Sequence, residues 1–384
     1  MHKLIRITTV PISLEKLLEN QLRFMNKFYQ VIAVSSDSNA LKRIEHQQGV
    51  TTYAVDMTRK ITPFRDFVAL VNMCRFLIRE KPLIVHTHTP KAGVIGMLAS
   101  KICGVPHRLH TVAGLPLLET TGVKRKLLDF IERITYSCAT QVYPNSYGLR
   151  DIIVKNQYCN SSKLKVIANG SSNGIDTQYF DPALFRESDN LSLRSSLGIQ
   201  AEDFVFVFVG RLVGDKGINE LVSAFSTLTK QKINVKLLLV GNSEAELDPL
   251  KKVTLKEIHD SDNIISVGYQ TDIRSYLAVS DALVFPSYRE GFPNVVMQAG
   301  SMGLASIVSD INGCNEIIVD GKNGLIIPPK DSSALLKAMS LFIEDKDLFQ
   351  SLKNNARGMI VERYEQHSVW QAILSEYKKL EKNV

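Results

Sequence analysis

No stretch of this chain reaches the roughly 18 consecutive apolar residues that a membrane-spanning helix needs. Any contact with a bilayer is therefore expected to be peripheral. Cysteine is sparse. Cys74, Cys103, Cys138, Cys159 and Cys314 are scattered, odd in number and free of any CxxC spacing. That pattern argues against a zinc site and against a disulfide framework, and it fits a reducing, cytoplasmic setting. There is no low-complexity tract and no short repeat. The basic residues are dispersed, with no aromatic-interleaved patch, so nucleic acid is not an expected partner. The start, MHKLIRITTVPIS, has a short apolar run broken by Arg6 and Pro11 and reads as a first strand, not a signal peptide.

What is present is an ordinary globular composition carrying an excess of positive charge. The formal net charge over 384 residues is +7 and hydrophobic residues make up 45%. Such a length points to two or three domains with ample core. The charge points to an anionic partner, whether a phosphate or an acidic membrane surface.

Strand and helix patterns alternate along the chain. Leu4–Val10, Val31–Val34, Leu83–His86, Leu109–Val112 and Gln141–Tyr143 read as strands. Between the first two, Ser13 suits an N-cap, with Leu14, Leu17, Leu18, Leu22 and Met25 following at helical spacing. Phe64, Phe67, Val68, Val71 and Ile78 mark a second amphipathic helix, residues 93–103 a compact one, and residues 124–138 another. Residues 168–190, rich in Gly, Ser, Asn and Asp, read as a linker. The alternation then restarts with strands Phe204–Val209, Val235–Val240, Ile264–Val267, Ala282–Phe285 and Ser306–Ser309. Strands apolar on both faces, alternating with helices, predict an α/β protein of two doubly wound, Rossmann-like domains facing a central cleft. The expected bounds are 1–172, completed by a C-terminal helix over 363–384, and 173–362. Ligands of such sheets bind outside the carboxyl ends of the strands.

The strongest local signal is VFVFVGRLVGDKGINEL, residues 205–221. An apolar strand ends at Gly210, Arg211 follows, and Lys216-Gly217 opens a helix. A diphosphate needs compact positive charge close to backbone N–H donors. Arg supplies a bidentate fork and Lys a mobile point charge. The two glycines let the backbone approach, and the helix start adds its positive dipole end. The second signal is FPSYREGFPNVVMQAGSMG, residues 285–303. Here Glu290 is an acceptor for sugar hydroxyls, Gly291 and Pro293 shape a turn, and Gln298 lies within the following helix. His86 and His88 share a strand face, yet no third metal ligand is evident. Asp260-Ser261-Asp262 precedes a strand and reads as a polar loop.

The pair GRLVGDKG and EGFPNVVMQ resembles glycosyltransferase family 4. HTHTPKAG (86–93), the run from Gly174 to Phe180, and VDGKNGLIIPP (319–329) fit as well. The likeness covers nearly the whole chain. Within the family it is similar to bacterial enzymes of capsule, O-antigen and lipid-linked oligosaccharide assembly, including bacillosaminyl transferases. The resemblance implies the GT-B fold and a retaining enzyme that needs neither metal nor cofactor, with a UDP-sugar as donor. It implies that Gly210, Arg211 and Lys216 meet the donor diphosphate. Glu290 would meet the sugar, with Gly291, Phe292, Pro293 and Asn294 lining the same pocket and position 298 at the ribose. Catalytic roles fall on Arg211, Lys216, Glu290 and His110, and acceptor-side roles on His88 and Lys91. A lipid-linked saccharide is the implied acceptor.

Two departures stand out. The family has Glu at both ends of its EX7E motif, where this chain has Gln298. In the loop LHTVAGLP, the position where many members carry His or an acid is Ala113, three residues after His110. These departures keep open a non-catalytic donor-binding subunit, and the shared fold keeps open a nucleotide-sugar 2-epimerase. Lys124, Arg125 and Lys126, ahead of Leu127, Leu128, Ile131 and Ile134, suit the inner-leaflet surface of a membrane.

Overall fold

Twelve parallel strands divide equally between two sheets in the computed structural model, which describes residues 1–115, 117, 120–232, 234–244 and 248–382. The first sheet contains β1 (Lys3–Ile7), β2 (Gln30–Ser35), β3 (Thr51–Ala54), β4 (Ile84–Thr87), β5 (His107–Val112) and β6 (Gln141–Pro144). Its order is β3-β2-β1-β4-β5-β6. The second contains β7 (Phe204–Val209), β8 (Val235–Val240), β9 (Ile264–Gly268), β10 (Ala282–Phe285), β11 (Ala305–Ser309) and β12 (Gly324–Ile327). Its order is β12-β11-β10-β7-β8-β9. Each sheet therefore reverses direction beside its first strand, between β1 and β4 and between β7 and β10. At such a switch point the flanking loops run to opposite faces and leave a crevice outside the strand ends.

The strands read as unbroken apolar runs because helices cover both sides. Leu4, Ile5 and Ile7 of β1 and Leu237, Leu238 and Leu239 of β8 are fully buried. Each such side chain contributes roughly 1.5–3 kcal/mol by leaving water.

Met1–Gly174 with Gln366–Val384 forms one compact unit and Ile175–Glu365 the other. The sequence-based bounds fall at 172/173 and 362/363. The last helix, Gln366–Glu381, returns to the first unit, where Val369, Ile373, Leu374 and Tyr377 join the cluster around Leu4 and Val31.

Three local expectations are corrected. The helix expected from Ser13 starts at Pro11, because proline suits a first helical turn. It ends at Leu17, and a second helix, Gln21–Met25, follows Asn20, whose φ of 58° breaks the path. Edge strands β3 (TTYA) and β12 (GLII) were not expected: each is only four residues long, and β3 has little apolar character. Helix Pro63–Glu80 buries Ala69, Met73, Phe76 and Leu77, while Phe64, Phe67, Val68 and Ile78 face outward.

Candidate active site

The second unit gathers most of the expected residues. β7 delivers Gly210 and Arg211 at its carboxyl end. A single 3-10 turn, Gly214–Lys216, then leads through Gly217 into helix Ile218–Thr229. β10, beside β7, delivers the segment 286–293 and then helix Asn294–Ser301, capped by Pro293. The two loops are sewn together. The Tyr288 amide donates to the Asp215 carbonyl at 2.9 Å, and Arg289 pairs with Asp215 at 2.8 Å. Gly217 has φ of 72°, and a Cβ there would lie 2.1 Å from the Pro286 carbonyl oxygen. Only glycine permits that approach.

Within this frame Lys216 forms an ion pair with Glu290, both side chains being largely buried. The same Glu290 oxygen accepts from Ser287 Oγ at 3.0 Å. Lys216 Nζ also stands 5.7 Å from the Phe285 ring centroid, over the end of β10. Asn312, after β11, donates to the Glu290 and Gly291 carbonyls at 3.0 and 2.7 Å. That clamp fixes the turn at Gly291. Phe292 is buried with its ring 5.4 Å from that of Tyr364, whereas Asn294 is exposed. Arg211 is exposed and pairs with Glu244 at 2.9 Å. This hydrogen bond raises the guanidinium pKa above its ordinary value. Gln298 lies one turn into its helix, half-buried, with no side-chain hydrogen bond to the described residues.

Arg211 and Lys216 thus each hold a carboxylate. Lys216, the amides at the start of helix Asn294–Ser301 and Arg211 suit an anion, since helix starts leave N–H groups without intrahelical partners. Ser287, Asn312, Asp215 and Glu244 were not singled out from the sequence. The dipeptide Asn312-Gly313 was the available signal. Gly313 has φ of 77°, and a Cβ there would meet the Gly291 carbonyl oxygen at 2.5 Å.

The first unit is built differently. Its switch point brings Thr9, after β1, against Thr89, after β4, with the two hydroxyls 2.7 Å apart. Lys91 pairs with Asp66. His88 is buried. Its Nε2 accepts from Arg6 Nε at 2.9 Å, so its proton sits on Nδ1, which has no partner among the described residues. Arg6 is fully buried and has no carboxylate partner among the described residues. It donates to His88, to Tyr377 Oη at 3.0 Å and to Gln21 Oε1. His86 completes the chain, 2.5 Å from Tyr377 Oη and 2.7 Å from Thr111 Oγ1. Burial, reinforced by neighbouring positive charge, lowers the pKa of His86 and His88 well below the usual range. A cavity of about 20 Å³ adjoins His86, His88, Asn145, Ser171 and Ser172, room for one water. The sequence flagged Arg6 only as a break in an apolar run.

His110 lies inside β5, buried, with Nδ1 2.7 Å from Thr87 Oγ1. A Cβ on Gly93 would lie 2.5 Å from its ring, so the histidine fills a notch under helix Pro90–Ile102. Burial lowers its pKa to about 4. The ring expected among the catalytic groups is thus a neutral one, walled in between sheet and helix. Ala113 follows β5.

Two Rossmann-like units, each with a switch-point crevice and one carrying Arg, Lys and Glu on glycine-shaped loops, define a GT-B α/β protein. Comparison with known proteins carries this to a family. Residues 23–170 match the family described as Glycosyl transferase 4-like domain, and residues 189–359 match Glycosyl transferases group 1. The capsular polysaccharide biosynthesis glycosyltransferase CapM of Staphylococcus aureus is 31% identical, over 98% of this chain and 97% of its own length. The N,N'-diacetylbacillosaminyl-diphospho-undecaprenol alpha-1,3-N-acetylgalactosaminyltransferase of Campylobacter jejuni is 30% identical, over 77% and 76% of the two chains. Among solved structures, Anabaena HepE in complex with UDP superposes with a TM-score of 0.79 at 20% identity, covering 99% of this chain and 100% of the other. The chain belongs to glycosyltransferase family 4, and it is a glycosyltransferase.

Proposed function

We propose that this enzyme moves a hexose or N-acetylhexosamine from a UDP-sugar to a polyprenyl-diphosphate-linked saccharide in surface polysaccharide synthesis, with retention of anomeric configuration and without a metal. The observation that carries the donor half is the clasp of two loops at the β7/β10 switch point. It sets Lys216 against Glu290. The acceptor half draws on relatives whose names specify capsule synthesis and an undecaprenol diphosphate acceptor. In favour of metal independence, His86 has both ring nitrogens in hydrogen bonds and His88 has Nε2 engaged by Arg6.

In this reading the diphosphate takes the place of the Glu244 and Glu290 carboxylates at Arg211 and Lys216. As the glycosidic bond breaks, negative charge grows on the departing phosphate. Arg211, Lys216 and the amides of Gly291, Phe292 and Asn294 stabilise it in place, with no reorganisation at the moment of reaction. Glu290, released from Lys216, accepts from the sugar hydroxyls, while Gln298 serves the ribose through its amide. Attack comes from the leaving-group face, and the departing phosphate takes the acceptor's proton. The protein works on the cytoplasmic side of a membrane, drawn to its acidic surface by Lys124 and Lys126.

The test is product analysis with a panel of UDP-sugars, a polyprenyl-diphosphate sugar and EDTA. Transfer that is unaffected by EDTA and falls about a hundredfold in Arg211→Ala, equivalent to ~3 kcal/mol of lost stabilisation, is the expected outcome. An altered sugar formed without acceptor would identify an epimerase. Donor binding without transfer would identify a non-catalytic subunit.

A further inference from the structure

Helix Pro63–Glu80 turns its aromatic side away from the core. Phe64 and Phe67 are 81% and 63% exposed, beside exposed Ile61 and Val68. A second helix, Gly122–Cys138, does the same with a stripe at i, i+4 and i+7. Val123 is 85% exposed, Phe130 61%, and Leu127 is also open. Scattered exposed apolar residues need no explanation, whereas aromatic groups concentrated at one edge do.

The topology puts these residues at one edge. Both helices pack against helix Pro90–Ile102, one on each side, and all three form one layer on the sheet. Each follows a strand of a parallel sheet, so each begins at the carboxyl end of the strands. Phe64, Phe67, Val68, Val123 and Leu127 lie in the first two turns of the two outer helices, at the same end of the sheet as Thr89 and Lys91; Phe130 follows in the third turn, and exposed Ile78 lies near the far end.

The exposed charge around them is mostly basic. Arg59, Lys60, Arg65, Lys124 and Lys126 are exposed and have no ion-pair partner among the described residues. The acids of the same two helices are already engaged or buried: Asp66 by Lys91, Asp129 by Arg125, and Glu132 inside the fold, while Asp56 is exposed in the preceding loop. Apolar groups for the acyl boundary, flanked by bases for lipid phosphates, match an anionic bilayer surface.

We propose that the segment 59–68 and the start of helix Gly122–Cys138 form an insertion edge. It seats the first unit on an anionic bilayer with Phe64, Phe67 and Phe130 below the level of the headgroups. The proposal rests on the peripheral-membrane reading above and goes beyond it. Attachment is by aromatic insertion from two helices, not by surface charge alone, and the sheet's ligand edge is held toward the lipid.

Flotation of the full chain with phosphatidylcholine vesicles, with and without phosphatidylglycerol, tests it. Wild-type protein should bind the anionic vesicles and retain binding at about 0.5 M salt, where surface attraction is screened to about 4–5 Å. Phe64→Ser with Phe67→Ser should lower that salt-resistant partitioning at least about tenfold, since binding scales with buried apolar area. Its circular dichroism and UDP affinity should stay unchanged, because neither side chain enters the core. Lys124→Gln with Lys126→Gln should weaken only the low-salt binding. Wild-type protein that ignores anionic vesicles overturns both this proposal and the peripheral reading. Salt-resistant binding undiminished by the two serines overturns the insertion edge and leaves peripheral attachment standing. A wild-type dimer that the serines turn into monomers, with vesicle binding unaltered, would assign the face to self-association and overturn the proposal.

Discussion

The two units share a topology and use it in opposite ways. At the β7/β10 switch point the second unit balances each cation with a carboxylate, a largely buried Lys216 with Glu290 and an exposed Arg211 with Glu244. At the β1/β4 switch point the first unit buries its polar groups. One guanidinium, Arg6, organises His88, Tyr377 and Gln21, and the neutral rings of His86, His88 and His110 fill the sheet. Discrete ion pairs, one largely buried and one exposed, suit a site whose cations engage an anionic ligand. A buried, donor-directed network suits a scaffold whose shape must not change.

The largest effect should come from closing the second unit's loop contact. Gly217→Ala places a Cβ 2.1 Å from a backbone oxygen at a positive φ. It should cost about 2–4 kcal/mol and abolish UDP binding, read by thermal unfolding and calorimetry. A stable variant that binds UDP would break the idea that this contact sets the site.

Acid separates the units next. The folded pKa of His110 is about 4, against about 6.5 in an unfolded chain. A lowered histidine pKa means that stability is whole above pH ~6.5 and lost as pH falls toward 4. The loss reaches ~3 kcal/mol from this residue, with His86 and His88 acting in the same direction. The second unit's histidine, His259, is exposed and pairs with Asp260. The single tryptophan, Trp370, sits in the first unit and donates to Asn173 at 2.7 Å. Its fluorescence should report loss of the first unit between pH 6.5 and 4, ahead of nucleotide binding measured by UDP titration. A tryptophan signal flat to pH 4 would remove the distinction.

Smaller effects refine the donor side. Gln298→Glu should tighten UDP binding about three- to tenfold if that side chain faces the ribose, because a carboxylate is the stronger acceptor. An unchanged or weakened affinity would place position 298 elsewhere. Glu244→Gln frees Arg211 from an exposed pair, and such pairs are worth about 0.2–1 kcal/mol, so UDP should bind up to about fivefold tighter.

The same contrast decides what could be read from the sequence. Phe204–Val209 and the loop from Gly210 to Gly217 were legible because strand, glycine and charge are contiguous there. The EGFPN segment was legible for the same reason. Asn312 was not, since its two carbonyl partners lie 21 and 22 residues away. Arg6 was missed because its partners, His88, Tyr377 and Gln21, are up to 371 residues distant. The amphipathic periodicity of residues 64–78 was visible, but periodicity gives a stripe and not the direction it faces. Pro11 and Asn20 governed the first helices through backbone preference, which outweighed the leucine spacing.

The central claim is that the second unit's crevice holds a nucleoside diphosphate through Arg211 and Lys216. Calorimetric titration of UDP and of uridine into wild type, Arg211→Ala and Lys216→Ala tests it most directly. Each substitution should weaken UDP at least about tenfold, the scale of a lost charge-assisted hydrogen bond, and leave uridine unaffected. UDP affinity unchanged in both variants, or an equal loss for uridine, would contradict it.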